Sequence, residues 1–195
     1  MANKRRSFRT GLSVAVTLFT AVQTLGAQDR QATLIFHVED YARVPGADRS
    51  LAEAEVTRIY ALAGVRTVWA AGNENANVPG LHVRVILFSR DVAIGKFVSE
   101  RVPDSVLGLA ARAAGRAYIF THRIANLALQ HGDDFRLVLG RVIAHEVGHL
   151  VLPEYSHSDQ GIMRANVGVR SNSHREFTTE QAAVIRSILL AAPRP

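Results

Sequence analysis

A His-Glu-x-x-His motif, His145 to His149, lies inside a helix-periodic apolar run and constrains this chain more than any other feature. On a helix, residues four apart differ by about 40° around the axis, so His145 and His149 project side by side from one face. Two imidazoles placed that way can share one zinc ion, and Glu146 beside them can take a proton from water. A catalytic zinc site uses three protein ligands and keeps one position open. His157 is the candidate third ligand. The run Leu150-Val151-Leu152 meets Pro153, which cannot continue a helix and biases Leu152 out of helical geometry. The chain can then turn back, and the eight residues from His149 to His157 are ample to return under the metal. Asp159, Glu154 and, more remotely, His174 are rival third ligands.

Shortly afterwards comes Gly161-Ile162-Met163, a turn that carries a methionine. With it the stretch resembles the metzincin clan of zinc metallopeptidases, whose signature is HExxHxxGxxH followed by a methionine turn beneath the metal. The resemblance implies zinc ligands at His145 and His149, a general base at Glu146 and the methionine turn at Met163. The spacing departs from the family between these points. The family glycine falls at Leu152 and the family third histidine at Tyr155, two places before His157. Pro153 then takes over the helix-breaking role of that glycine, in a loop two residues longer. Over the rest of the chain the resemblance is one of layout. It implies an α+β, zincin-like single domain: a twisted mixed sheet with a backing helix, the HExxH helix below the cleft and a C-terminal helix.

The first residues read differently from the rest. Lys4, Arg5, Arg6 and Arg9 form a basic segment, Gly11 to Leu25 is mostly apolar, and Gly26-Ala27 offers small residues for cleavage. This predicts a secretory signal peptide over 1–27 and a mature catalytic domain over 28–195. An uncleaved anchor is the alternative, but the run falls short of the ~20 residues a span needs and contains Gln23. No stable membrane span is expected once the signal is removed. Four of the 23 basic residues lie in it and none of the 17 acidic ones, so the mature charge is 19 minus 17, or +2. With no basic cluster interleaved with aromatics, nucleic-acid binding has little support. The absence of cysteine excludes disulfides and a thiol latch on the metal. An exported chain without disulfides suits a bacterial envelope or medium.

Along the chain, Ala32 to Val38 reads as a first strand. Ser50 and Glu53 suggest a capping box for a helix that ends at Gly64. Strands follow at Val65 to Ala70 and Leu81 to Phe88, with a polar loop from Gly72 to Gly80 between them. Ser89 to Asp104 reads as a long surface loop. Val106 to Ala110 and Arg116 to Thr121 read as a strand pair about a small-residue turn. The resemblance implies that the first of this pair is an edge strand receiving extended substrate, although an ordinary hairpin fits the residues equally. The active helix starts near Asp133-Asp134 and runs to Leu152, with Gly140 and Gly148 marking close packing. Thr178 caps a last helix through Leu190, with Gln181 completing a capping box.

The remaining histidines, His37, His82, His122 and His131, show no ligand spacing and read as strand-face or surface residues. Tyr155 could hydrogen-bond an oxyanion or simply pack over its loop. Arg164 and Arg170 could meet a substrate carboxylate, with a solvated face as the default. The expected function is an exported zinc metallopeptidase acting on a peptide or protein substrate. Three alternatives stay open: a non-catalytic zinc-binding domain of the same fold, an envelope-binding module in which HExxH is incidental, and a hydrolase of non-peptide amides.

Overall fold

The apolar run at Ala32 to Val38 becomes an inner strand of a five-stranded sheet. In the computed structural model, residues 31–70, 78–97, 102–165 and 175–192 are described. The signal peptide expected over 1–27 lies outside them, as do Arg170, His174 and most of the loop between Gly72 and Gly80. β1 (Thr33–Asp40) has a parallel partner on each side, β2 (Arg66–Ala70) and β3 (Leu81–Phe88). β3 pairs in parallel with β5 (Arg116–Phe120), and β4 (Gly108–Ala111) closes one edge antiparallel to β5. The order is therefore β2-β1-β3-β5-β4. Strands covered on both faces read as continuous apolar runs rather than alternating ones. Leu34, Ile35 and Phe36 of β1 and Val85 to Phe88 of β3 are accordingly all buried.

Five helices accompany the sheet among the described residues: α1 (Gly46–Leu62), α2 (Arg90–Phe97), α3 (Thr121–His131), α4 (Phe135–Val151) and α5 (Thr179–Ala191). The main core lies on one face of the sheet. There Leu34, Phe36, Val85 and Ile119 meet Ile59 and Tyr60 of α1 and Val142 and Ile143 of α4. Side chains alternate across a strand, so Ile86, Phe88 and Phe120 point the other way, into a smaller cluster with Ala93 of α2. The result is a mixed α/β single domain with a mostly parallel sheet, consistent with the α+β, zincin-like fold expected. Among the described residues no helix is long and apolar enough to cross a membrane.

α4 carries the HExxH motif, and its position is set from three sides. Asp134 caps its start by accepting from the Arg136 N–H at 2.9 Å. Pro153 stops it, leaving Leu152 extended with ψ 157°. Against α1 it packs so closely that a Cβ on Gly140 would lie 2.6 Å from the Ala52 carbonyl oxygen. Beside that contact the buried Arg141 guanidinium meets the buried Glu55 carboxylate at 3.4 Å.

Three local expectations change. α1 starts a turn before Ser50: Pro45 is its N-cap and Gly46 its first residue, so Ser50 and Glu53 lie within the helix. Pro's fixed φ suits a helix start, and the first N–H groups lack helical partners anyway. The loop expected over Ser89 to Asp104 contains α2, despite Gly95. α3 went unread altogether. It begins directly after β5, its N-cap Phe120 makes no side-chain capping bond, and only Gly132, left-handed at its end, marks it locally.

Candidate metal centre and cleft

His145 and His149 project from the last turns of α4, and the loop after Pro153 brings His157 to them. His149 Nε2 lies 3.0 Å from His145 Nε2 and 3.0 Å from His157 Nε2. One nitrogen from each ring falls within 4.8 Å of the other two, and no other such group of ligand residues occurs among the described residues. The rival Asp159 and Glu154 stand outside this cluster; His174 lies outside the described residues. Burial is graded across the triad. His145 is buried, His149 half-buried and His157 exposed.

Outer hydrogen bonds fix how the rings face. His145 Nδ1 lies 2.8 Å from the carbonyl oxygen of Ile162, which can only accept, so Nδ1 carries the proton. A neutral His145 then turns the bare lone pair of Nε2 toward the other two rings. His149 Nδ1 has the Ser156 hydroxyl at 3.3 Å. Burial, followed by the neighbouring His145, His157 and Arg112, lowers the His149 pKa to about 4. Burial likewise lowers that of His145, against the opposing effect of the Ile162 carbonyl. The two rings on α4 are thus held neutral, the form that can donate a lone pair to a metal.

The turn predicted at Gly161 to Met163 lies under this arrangement. Met163 is fully buried, and its sulfur would be 2.5 Å from a Cβ on Gly148. That contact explains a glycine inside the motif. Gly161, with φ 77°, lets the turn approach the Glu176 carbonyl, which accepts from the Ile162 N–H at 2.7 Å.

Glu146 faces an open cleft of about 1430 Å³ whose lining includes the triad, β4 residues, α3 residues and the loop at Pro153 to Tyr155. It is only 7 % exposed, and burial raises its carboxyl pKa from 4.5 to about 8. A dication at the triad would favour the ionised carboxylate again. β4 passes directly over it. The unmade side chain of Gly108 is what leaves room for the Glu146 carboxyl. Two arginines hold this rim. Arg112, in the 3-10 turn after β4, donates to the His149 carbonyl at 2.7 Å. Arg123 of α3 donates to the carbonyls of Pro103 and Val106, both at 2.7 Å, and lies over the Phe120 ring.

The structure therefore gathers His145, Glu146, His149, His157 and Met163 in one place. Tyr155 lines the cleft, left-handed at φ 58° and 98 % exposed, with no packing over its loop. Of the other histidines, His37 and His82 pair on the sheet at 2.9 Å, and His122 lines the cleft. Sequence reasoning missed Gly108 and Arg112. A glycine inside the strand expected over Val106 to Ala110 was a usable signal of close approach for the first; nothing local marks the second.

The donor set suits zinc. Two nitrogens each ~2.0–2.1 Å from a tetrahedral ion lie about 3.3 Å apart, close to the 3.0 Å seen for His149 with each neighbour. The cleft leaves one side open. No protein-family model and no curated protein sequence matches the chain. Among solved structures it is similar to the crystal structure of a zinc-dependent peptidase from Methanocorpusculum labreanum (strain Z). The TM-score is 0.50 and the sequence identity 15%, over 79% of this chain and 100% of that one. At that identity the likeness is one of fold.

Proposed function

We propose that the chain is an exported zinc-dependent peptidase of metzincin-like type, with 1–27 as its signal peptide. The observation that carries this reading is the convergence of His145, His149 and His157 beside the buried Glu146 in an open cleft. The fold shared with a zinc-dependent peptidase supports it. Zinc held by the three histidines would supply a Lewis acid that polarises a carbonyl and acidifies water.

The chain's own groups do the rest. Glu146 accepts a proton from water in the cleft and passes it to the leaving amine. The surrounding apolar wall strengthens that carboxylate as a base by depriving it of solvent. β4, at the sheet edge, offers main-chain groups to which an extended peptide adds as a further strand. Arg112 and Gly108 keep this strand in place against α4.

The test compares wild type with Glu146→Ala for zinc content and for cleavage of a mixed peptide library. The expected outcome is one zinc per chain in both and cleavage by the wild type alone. Full activity in the variant would sink the mechanism. Zinc in the wild type with no cleavage would favour a non-catalytic zinc-binding domain, and zinc far below one per chain an incidental motif.

A further inference from the structure

The loop that presents His157 has almost nothing apolar to hold it. Between Pro153 and Gln160 every residue is exposed except the half-buried Ser156 and Ser158, and the one aromatic ring points into solvent. Hydrogen bonds must therefore fix the third imidazole, and among the described residues one side chain reaches both neighbours of His157. Gln181 Nε2 donates to the Ser156 carbonyl at 3.2 Å and to Ser158 Oγ at 3.0 Å. Its Oε1 simultaneously accepts from the Thr178 N–H at 3.1 Å, completing the capping box of α5.

The chemistry leaves no freedom in these directions. The Ser156 carbonyl can only accept. Ser158 spends its hydroxyl proton on the Gln160 carbonyl at 2.6 Å, so toward Gln181 it too accepts. Both loop partners need a donor and the helix start needs an acceptor; an amide supplies both and a carboxylate only the second. We infer that Gln181 is a positioning residue for the metal centre, a side chain through which the start of α5 sets His157 in place. This rests on the reading of the triad as a zinc site. It also gives the longer loop between His149 and His157 its support from outside the ligand helix.

Gln181→Glu separates the two jobs of this side chain. Glutamate is the standard partner in a capping box, and a negative charge in the first turn suits the helix dipole. The variant keeps or improves the cap while turning a donor into a repelled acceptor at the loop. Zinc affinity, read by chelator competition on the full chain, should fall roughly ten- to hundredfold. The metal-free melting temperature should stay level or rise. A purely structural role would move both quantities down together, and that outcome, or a zinc affinity within about twofold of wild type, overturns the inference. Ser158→Ala, which removes one of the two loop acceptors, should lower affinity by a smaller amount. If Gln181→Glu fails to fold, an unchanged affinity in Ser158→Ala overturns the inference instead. His157→Ala distinguishes the deeper failure: if it binds zinc as tightly as wild type, the triad reading falls and this one with it.

Discussion

The carboxyl group of Glu146 occupies the space that a side chain on Gly108 would need. A Cβ there would meet Glu146 Cγ at 2.6 Å and its Cδ and Oε1 at 2.9 Å. The two residues belong to different elements, the edge strand and α4, so the carboxyl group is aimed by a backbone that runs across it. A glycine at this point is a condition on the geometry of the carboxylate rather than on the turn of the chain.

Gly108→Ala should therefore damage the base without touching the ligands. We expect the carboxylate to be pushed from its position and turnover to fall roughly 10²-fold or more, the range a positioned acid–base group supplies. Zinc content should stay at the wild-type level, because His145, His149 and His157 lie outside the contact. Steady-state turnover beside metal analysis checks this; wild-type turnover in the variant would show that the carboxylate has room elsewhere.

Arg112 ties the rim of the cleft to the end of α4 through the His149 carbonyl. Such a carbonyl has no partner within the helix. The contact is exposed, so Arg112→Met should cost only about 1 kcal/mol of stability. Its larger effect should be on KM for peptides, because β4 loses its anchor. A variant with an unaltered KM but a lowered kcat would place Arg112 at the reacting atoms instead.

The buried pair at the α1–α4 contact is asymmetric. Glu55 also receives Arg58 at 2.8 Å, whereas among the described residues Arg141 forms an ion pair with Glu55 alone. Glu55→Ala leaves a buried cation without its counter-ion and should cost roughly 3–5 kcal/mol. Arg141→Met leaves Glu55 still paired with Arg58 and should cost clearly less. Denaturant unfolding of the two variants decides; equal losses would mean that Arg58 does not compensate.

The metal-free chain should carry the signature of Glu146 in its pH dependence. Its folded pKa of about 8 lies above the ordinary 4.5, so the folded state keeps a proton that the unfolded chain has released. That contribution is full below 4.5 and is lost as pH rises to 8. His149, lowered to about 4 from 6.5, acts in the opposite sense, contributing above 6.5 and losing that contribution as pH falls. The two oppose each other between 4.5 and 6.5, and of the pair only Glu146 titrates from 6.5 to 8. Metal-free wild type should lose about 2 kcal/mol over that last interval, and Glu146→Gln should be flat across it. Denaturant melts with chelator present measure both slopes, and a flat wild-type curve would refute the shift.

What the sequence revealed was what it states locally. His145 and His149 follow from a four-residue spacing, the end of α4 from Pro153, and the start of α5 from Thr178 and Gln181. α3 escaped because it follows β5 without a loop and lacks a capping side chain, so the apolar run Arg116 to Thr121 read through its start. α2 escaped because Gly95 and the nearby Pro103 resemble loop residues. The site's support was hidden for another reason. Gly108 with Glu146 and Arg112 with His149 are contacts between elements far apart in the chain, and no local pattern of propensity or polarity encodes such a meeting. Gln181 was legible as a cap and illegible as a partner of the His157 loop.

The graded burial of the triad has a kinetic consequence. An ion seated among these rings would be walled in by α4 on the side of His145 and separated from solvent on the other side by a single exposed imidazole. Exchange would begin there, with His157 swinging away first and the two helix-borne rings releasing afterwards. The residence time of such an ion would then be governed by how fast a short surface segment opens, not by how firmly the domain as a whole is folded.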